Sequence, residues 1–134
     1  IVAAAFGLPS LSDQRFFAFD ALAWVGVAFC GAGLVLLFGS LMSFGRSFRV
    51  GIDAEQPDQL VTTGVFGFTR NPIYVAFASI LVGQFLIFPN WILLTYVVVG
   101  TLVFHRQVLR EESYLKQHYG QAYADYCQRV RRYL

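Results

Sequence analysis

The residues best suited to chemistry lie in two polar stretches that flank an apolar part of the chain. The first stretch is Arg70-Asn71-Pro72-Ile73-Tyr74, and the second begins with the carboxylate pair Glu111-Glu112. Pro72 suits the first turn of a helix, where free N–H groups and the positive end of the helix dipole favour an anionic group. The two glutamates add an acidic spot beside these basic and aromatic groups. Together they favour a ligand that carries a cation, an anion and an aromatic ring.

S-adenosylmethionine is a ligand of this kind, because it combines a sulfonium, an ammonium, a carboxylate and an adenine. Arg70 would supply charge, and Tyr74, one helical turn inside, would stack on a ring. Each stretch also has an ordinary structural interpretation. Asn71 could cap the helix that Pro72 opens, and the two glutamates could lie on a solvated helix face. The residue types alone leave both interpretations open.

Long uncharged runs position these stretches at a membrane. Residues 21–44 contain no charged side chain, and about 20 apolar residues cross the ~30 Å hydrocarbon layer, so this run predicts a transmembrane helix. Residues 73–88 and 91–104 are two further apolar runs, and the Pro89-Asn90 turn signal between them predicts a helical hairpin. Each hairpin helix is short for a full span, which requires extension beyond the bilayer or local thinning.

Polar segments complete the predicted architecture. Residues 45–70 predict an extramembrane loop with short helical turns, and the second hairpin helix is expected to continue from Phe104 into water as far as Gly120. One helical face of the tail carries apolar and aromatic residues: Leu115, Tyr119, Tyr123, Tyr126, Val130 and Tyr133. The sequence therefore predicts a single all-α integral membrane domain over residues 1–134. Its parts are a transmembrane helix, a cytosolic loop, a helical hairpin and a cytosolic C-terminal helical tail.

Composition and charge agree with a membrane protein. Only 13% of the residues are charged and 57% are hydrophobic, whereas soluble domains carry roughly 25% charged residues. Arg15 is the only Lys or Arg before the first predicted helix, so the positive-inside rule places the 45–70 loop and the tail in the cytosol. The net charge of +2 is too small to imply a nucleic-acid partner.

Cysteine usage and the start of the chain carry less information. Cys30 lies in an apolar run and Cys127 in the polar tail, so they are expected at different depths and without a disulfide. The sequence has no CxxC and no clustered His, Cys and Asp set, and we expect no metal site. The chain opens without Met in apolar sequence, for which we expect an N-terminally trimmed protein.

Several segments keep a recognisable order and spacing around the apolar hairpin. They are Leu60-Val61-Thr62-Thr63-Gly64-Val65-Phe66, Arg70-Asn71-Pro72-Ile73-Tyr74, Glu111-Glu112, Tyr119-Gly120 with Tyr123 and Tyr126, and Val130-Arg131. This arrangement, over roughly residues 45–134, resembles the isoprenylcysteine carboxyl methyltransferase family, whose wider group includes membrane phospholipid methyltransferases. The resemblance implies S-adenosylmethionine as cofactor, bound in a cytosolic pocket that the C-terminal tail closes.

The resemblance and the residue types together assign cofactor binding to a set of positions. They are Gln59, Leu60, Val61, Phe66, Arg70, Asn71, Pro72, Ile73, Tyr74, Glu111 and Glu112. The chain departs from the family pattern at Asn71, where the family has His, at Phe66, where it usually has Tyr, and at Ala76, where it has Gly. Gln107 takes the place of an arginine implicated in holding the substrate carboxylate, and Arg106 beside it points about 100° away on a helix.

Methyl transfer requires mainly that donor and acceptor are aligned and water is excluded. A carboxylate acceptor is already ionised at pH 7, whereas an amine or a thiol must lose a proton. His105, where the last apolar run meets water, and Arg106 are candidates to orient the substrate, and His105 could take the proton. His105 could also be an interfacial anchor. We expect an apolar or lipid-tailed acceptor that enters from the bilayer.

Two other function classes stay open. A catalytically silent family member could act as a lipid-binding or membrane-assembly subunit. The departures from the family pattern at Phe66, Asn71 and Gln107 favour this class. A nicotinamide-dependent membrane reductase with similar C-terminal architecture would need more space and more basic groups than this short chain offers. Binding of S-adenosylmethionine separates these classes from a methyltransferase, and the oligomeric state stays open.

Overall fold

The computed structural model describes residues 19–53, 60 and 62–134, with the backbone alone for residues 46–53. The elements in chain order are helix α1 (Asp20–Asp53), a short 3-10 helix (Gly64–Gly67), α2 (Pro72–Ile87), α3 (Trp91–Tyr119) and α4 (Gln121–Arg129). Within these ranges the only β pairing is an isolated parallel bridge between Thr69 and Arg131. The predicted all-α fold class is therefore confirmed for the described part of the chain.

Two of the helices are long and apolar enough to cross a membrane. They are the Asp20–Gly45 part of α1 and the whole of α3, Trp91–Tyr119. Helix α2 is apolar but has only 16 residues, or about 24 Å at 1.5 Å per residue, and is shorter than the hydrocarbon layer. The two long helices indicate an integral membrane protein, while the face of the membrane on which the polar segments lie stays a prediction.

The predicted end of the first helix at residue 44 was wrong, although the apolar span itself ends close to that residue, at Gly45. Helix α1 continues to Asp53, so residues 45–53 are helical rather than loop. No proline interrupts this stretch before Pro57, and each further residue of an existing helix adds a backbone hydrogen bond at low cost. The end of an uncharged run therefore marks the expected membrane boundary, not the end of the helix.

The hairpin forms as the sequence predicts. Asn90 caps α3 by accepting a hydrogen bond from the Leu93 amide at 3.0 Å, and its side chain is buried. Helix α3 then continues without a break and ends at Gly120, whose φ of +57° is a backbone conformation that favours glycine. The extension of the second hairpin helix to Gly120 is confirmed.

Helix α1 packs closely against α2 through small residues. A Cβ added at Gly26 would lie 2.6 Å from the carbonyl oxygen of Gly83, and one added at Gly33 would lie 2.8 Å from the carbonyl oxygen of Ala76. Ser79 of α2 also donates a hydrogen bond to the carbonyl of Phe29 at 2.8 Å. Small residues allow membrane helices to approach in this way.

The tail packs on the protein through its aromatic face. Tyr123, Tyr126 and Val130 are buried together, with Leu60, Leu115, Tyr119 and Cys127 against them. Tyr133 does not belong to this face, contrary to the prediction, because α4 ends at Arg129 and the chain leaves the helix. The C-terminal segment (residues 130–134) instead turns back towards the loop that precedes α2.

Candidate functional site

The C-terminal segment holds the loop before α2 in place. The Arg70 amide donates to the carbonyl of Arg131 at 2.9 Å, beside the Thr69–Arg131 bridge. The Thr69 hydroxyl donates to the carbonyl of Arg132 at 3.2 Å, and Nδ2 of Asn71 donates to the same carbonyl at 3.0 Å. The entrance of α2 and the end of the tail, distant in sequence, therefore form one surface.

Asn71 occupies the position before α2 but does not act as the predicted cap. Its Oδ1 accepts no capping hydrogen bond, and its Nδ2 donates to the Arg132 carbonyl instead. The Asn71 amide itself donates to Oγ1 of Thr69 at 3.2 Å. Pro72 is buried at the first helical position and lacks an N–H. The remaining N–H groups of the first turn receive no side-chain cap, so they suit an anionic group of a ligand.

Arg70, Glu112 and Arg132 form a partly buried charge cluster. Arg132 holds the Glu112 carboxylate through two hydrogen bonds, Nε to Oε1 at 3.0 Å and Nη2 to Oε2 at 2.9 Å. Nη1 of Arg70 lies 3.3 Å from Oε1 of Glu112 and also contacts Sγ of Cys127 at 2.6 Å and the Tyr123 hydroxyl at 3.4 Å. The hydrogen bond to Glu112 raises the pKa of Arg132. Both basic side chains thus neutralise one buried carboxylate.

Glu111 points to a different place from its neighbour. The Tyr74 hydroxyl donates to Oε1 of Glu111 at 2.5 Å, and Nε2 of Gln107 donates to the same oxygen at 3.3 Å. The ring of Phe104 lies 5.8 Å from the Tyr74 ring. Adjacent residues on a helix point about 100° apart, so the single acidic spot predicted for Glu111 and Glu112 is in fact two separate sites.

A cavity of about 1150 Å³ opens between α1, α2, α3 and the C-terminal segment. Its lining residues are Val25, Ala28, Phe29, Ala32, Gly33, Leu36, Tyr74, Val75, Ala78, Ser79, Val82, Thr101, Leu102, Phe104, His105, Tyr133 and Leu134. None of these residues is Asp, Glu, Lys or Arg. We call this cavity the apolar groove, and its most polar end is formed by Tyr74, His105 and Tyr133.

Contacts at the polar end orient the imidazole of His105. Nδ1 of His105 lies 2.8 Å from the Tyr133 hydroxyl, and the two ring centres are 6.2 Å apart. Burial raises the pKa of Tyr133, so its hydroxyl stays protonated at physiological pH. One ring nitrogen of His105 is thereby engaged, and Nε2 is the nitrogen left for a ligand in the groove.

The other predicted site residues occupy varied positions. Leu60 packs on the aromatic cluster of the tail, and the carbonyl of Phe66 accepts a hydrogen bond from the Tyr126 hydroxyl at 2.6 Å. Ile73 is half-buried, whereas Arg106 is exposed and does not line the groove. Gln59 and Val61 lie outside the described residues. Cofactor contacts for all of these positions stay predictions.

Sequence reasoning did not predict the contacts that three residues make in this region. Arg132 holds both Glu112 and Asn71, Tyr133 contacts His105, and Tyr123 is buried beside Arg70. Burial raises the pKa of Tyr123 to about 12, with a further contribution from the hydrogen bond to Cys127. The basic pair Arg131-Arg132 after an aromatic helix face was a usable signal, because a partly buried acidic residue needs a cationic partner.

Comparisons with known proteins identify the family. The family model described as phospholipid methyltransferase matches residues 21–122. The chain is 36% identical over 101 residues to protein-S-isoprenylcysteine O-methyltransferase B of Arabidopsis thaliana, covering 73% of this chain and 51% of that protein. It is 30% identical over 109 residues to the protein-S-isoprenylcysteine O-methyltransferase of Tribolium castaneum, covering 79% of this chain and 39% of that protein.

A yeast relative extends the same picture. The protein-S-isoprenylcysteine O-methyltransferase of Schizosaccharomyces pombe is 26% identical over 117 residues, covering 85% of this chain and 50% of that protein. The chain thus spans about half the length of the curated relatives it matches. No solved structure matches the chain. The matching family model covers residues 21–122, so the chain belongs to the phospholipid methyltransferase family, and within it the chain is similar to protein-S-isoprenylcysteine O-methyltransferases.

Proposed function

We propose that this protein is an integral membrane methyltransferase that uses S-adenosylmethionine and methylates an apolar or lipid-tailed acceptor reached from the bilayer. The observation that carries the proposal is the apolar groove between the membrane helices, which ends at Tyr74 and His105. Tyr74 connects this end directly to Glu111, one of the residues that the family resemblance assigns to the cofactor. An acceptor with its tail in the groove would present its reactive group beside the cofactor residues.

The residues present fit S-adenosylmethionine. The first turn of α2 offers N–H groups without a side-chain cap, and Nε of Arg70 is buried with no hydrogen-bond partner among the described residues. Both would suit the carboxylate of the cofactor, while the Glu111 carboxylate would suit its ammonium or a hydroxyl. When bound, the cofactor supplies a methyl group on a sulfonium, which is an electrophile.

The chain's own residues would then align the reaction and exclude water. Helix α3 presents His105 to the groove and Glu111 to Tyr74, so the acceptor side and the cofactor side are fixed on one rigid element. The C-terminal segment covers the loop before α2 through the hydrogen bonds from Arg70, Thr69 and Asn71. Fixed positions for both reactants supply much of the rate of a bimolecular transfer. The distribution of Lys and Arg favours the cytosolic face for this site.

A silent lipid-binding or assembly subunit is the second candidate. One observation favours it: Asn71, assigned to the cofactor by resemblance, and Glu112, assigned to it from the residue types, are already engaged by the backbone and side chain of Arg132. Such a subunit would keep the apolar groove and the folded tail without binding a methyl donor.

Binding of the methyl donor decides between the two candidates. Isothermal titration calorimetry with S-adenosylmethionine on the detergent-purified protein should show micromolar binding. Glu111→Gln should weaken it roughly 10- to 150-fold, because hydrogen bonds to charged groups contribute about 1.5–3 kcal/mol. Asp125→Asn is the matched control, since Asp125 is exposed on α4 and should leave binding unchanged. No binding by the folded, unsubstituted protein would refute the enzyme proposal and favour the silent subunit.

A further inference from the structure

Two hydrogen-bonding side chains from different parts of the chain meet at the polar end of the apolar groove. His105 comes from α3, and Tyr133 comes from the C-terminal segment, after α4 has ended. Both line the groove, and Nδ1 of His105 lies 2.8 Å from the Tyr133 hydroxyl. His105 is exposed, so a head group bound to it stays in contact with water while its tail lies among apolar side chains. This position suits the head of a lipid-tailed acceptor.

The charges at this end of the groove favour an anionic head group. An anion beside a bound sulfonium is attracted by it, whereas a cation is repelled. Among the described residues that line the groove, none is Asp or Glu, so no side-chain anion there opposes a carboxylate. Glu111, the next acidic residue along α3, instead accepts hydrogen bonds from Tyr74 and Gln107. A carboxylate is therefore the head group that this arrangement fits.

Resting on the proposed function, we infer that His105 binds a carboxylate of the acceptor through Nε2–H, and that Tyr133 positions the imidazole by donating to Nδ1. Burial raises the pKa of Tyr133, so its hydroxyl keeps a proton to donate. In a neutral imidazole one nitrogen carries the proton and the other the lone pair, so an Nδ1 that accepts leaves the proton on Nε2. A protonated imidazole carries a proton on Nε2 as well. With Tyr133 as its partner, Nε2 is thus a donor in either state.

The neighbouring polar residues of α3 do not compete for this role. Gln107 donates to Glu111 at 3.3 Å and does not line the groove. Arg106 is exposed and also lies outside the groove lining. Adjacent helical positions differ by about 100° in direction, so His105 is the residue among these three that faces the groove.

The transfer balances without a proton acceptor. One carboxylate oxygen accepts the hydrogen bond from Nε2 of His105, and the other attacks the methyl carbon of the sulfonium donor. A new oxygen–carbon bond forms, the methyl–sulfonium bond breaks, and its electron pair stays on the donor sulfur, which becomes a neutral thioether. The negative charge of the carboxylate and the positive charge of the sulfonium both disappear, and no proton moves. His105 therefore acts by binding and orienting the acceptor, not as a base.

The first experiment compares three probes that share an S-dodecyl thioether tail. They are N-acetyl-S-dodecylcysteine with a carboxylate head, its neutral carboxamide, and S-dodecylcysteamine with an amine head. The protein in lipid nanodiscs receives each probe with S-adenosylmethionine carrying a labelled methyl group, and donor binding is measured separately by calorimetry. We expect methyl transfer to the carboxylate probe and none above background to the other two. Transfer to the amine instead, or to no probe, with donor binding intact, overturns the inference and leaves the proposed function standing. Absence of donor binding overturns both.

The second experiment measures the affinity of the carboxylate and carboxamide probes for variants. His105→Phe keeps a ring but offers no donor, so affinity for the carboxylate probe should fall roughly 10- to 150-fold, the contribution of a hydrogen bond to a charged group. Affinity for the carboxamide probe should fall only roughly 2- to 10-fold, as for a neutral hydrogen bond. His105→Gln, whose side chain offers a donor again, should recover part of the carboxylate affinity.

His118→Phe, on the far part of α3, is the matched control and should bind both probes as the unsubstituted protein does. Equal losses for the two probes in His105→Phe would show a merely structural role and overturn the inference. A larger loss of carboxylate affinity in Arg106→Gln than in His105→Phe would also overturn it.

A spectroscopic readout tests the positioning role of Tyr133 without turnover. The chain has two histidines, so nitrogen-labelled imidazole gives two sets of NMR signals, which His118→Phe assigns. In the neutral imidazole, the His105 signals should show a bare Nδ1 and a protonated Nε2. Tyr133→Phe should mix the two tautomers and weaken binding of the carboxylate probe roughly 2- to 10-fold. A protonated Nδ1 with a bare Nε2, or an unchanged tautomer and affinity in Tyr133→Phe, overturns the role of Tyr133.

Discussion

Glu112→Gln should release the C-terminal segment from the membrane hairpin, and the structure allows the effect to be worked out. The Glu112 side chain is 6% exposed and lies between two arginines, Arg70 on the loop before α2 and Arg132 on the C-terminal segment. Glutamine has nearly the same shape but no charge. The substitution therefore removes the anion and leaves both cations in place.

The two arginines should respond differently. The Arg70 side chain is 12% exposed, and breaking a buried ion pair costs about 3–5 kcal/mol because it leaves a buried charge unpaired. Arg70 keeps its contacts with Tyr123 and Cys127, which places the cost near the lower value. The Arg132 side chain is 41% exposed, so it regains water, and exposed pairs contribute only about 0.2–1 kcal/mol. Glu112→Gln should cost about 3 kcal/mol and Arg132→Gln about 1 kcal/mol.

Native-state hydrogen exchange of the α4 amides measures this difference. At about 1.36 kcal/mol per tenfold, protection should fall roughly 150-fold in Glu112→Gln and roughly fivefold in Arg132→Gln. Asp125→Asn changes an exposed carboxylate on α4 and should leave protection unchanged. Equal losses in the two cluster variants, or a larger loss in Arg132→Gln, would refute the reasoning, because they would show that Arg70 is not an effectively buried charge.

Two further predictions concern helix packing and pH. Gly26→Ala should lower the midpoint of thermal unfolding, since the added Cβ would lie 2.6 Å from the Gly83 carbonyl oxygen and overpacking typically costs about 1–3 kcal/mol. Gly31 lies in the same helix with open space where a Cβ would lie, so Gly31→Ala should be neutral or stabilising. Equal effects of the two substitutions would contradict the close contact between α1 and α2. Raising the pH from 10 towards 12 should lower the hydrogen-exchange protection of α4. Burial raises the pKa of Tyr123 from 10.0 to about 12. The contribution of its protonated hydroxyl to stability is therefore complete below pH 10 and is lost as the pH rises through 12. Tyr123→Phe should reduce this alkaline loss of α4 protection. An equal loss in the variant and in the unsubstituted protein would contradict the assignment of the loss to Tyr123.

Helix boundaries that depend on local chemistry were predictable from the sequence. Pro72 opens α2, the Pro89-Asn90 turn separates α2 from α3, and Gly120 ends α3, as their backbone preferences require. The end of α1 at Asp53 was not predicted, because a change from apolar to charged residues does not by itself stop a helix. Local signals therefore located the turns better than the composition of a segment located its helix end.

The partners of the site's side chains were harder to predict from the sequence, since they depend on tertiary contacts. The separation of Glu111 from Glu112 follows from helical geometry and could have been read from the sequence. The partner of Asn71 could not, because it is a backbone carbonyl of Arg132, on a segment that has left its helix. Asn71 was therefore predicted as a cap from its position, in which its Oδ1 would accept from a backbone N–H. In the folded protein its Nδ2 instead donates to a carbonyl of the tail.

One spacing connects the charge cluster with the apolar groove. His105 and Glu112 are seven residues apart on α3, or about 10 Å along the helix axis, and they point to nearly the same side after two turns. The adjacent residues Tyr133 and Arg132 reach across this distance, with Arg132 bound to Glu112 and Tyr133 to His105. The charge cluster thus holds the tail at the register in which Tyr133 orients the imidazole. Glu112→Gln should therefore also weaken the contact between Tyr133 and His105, although Glu112 does not line the groove.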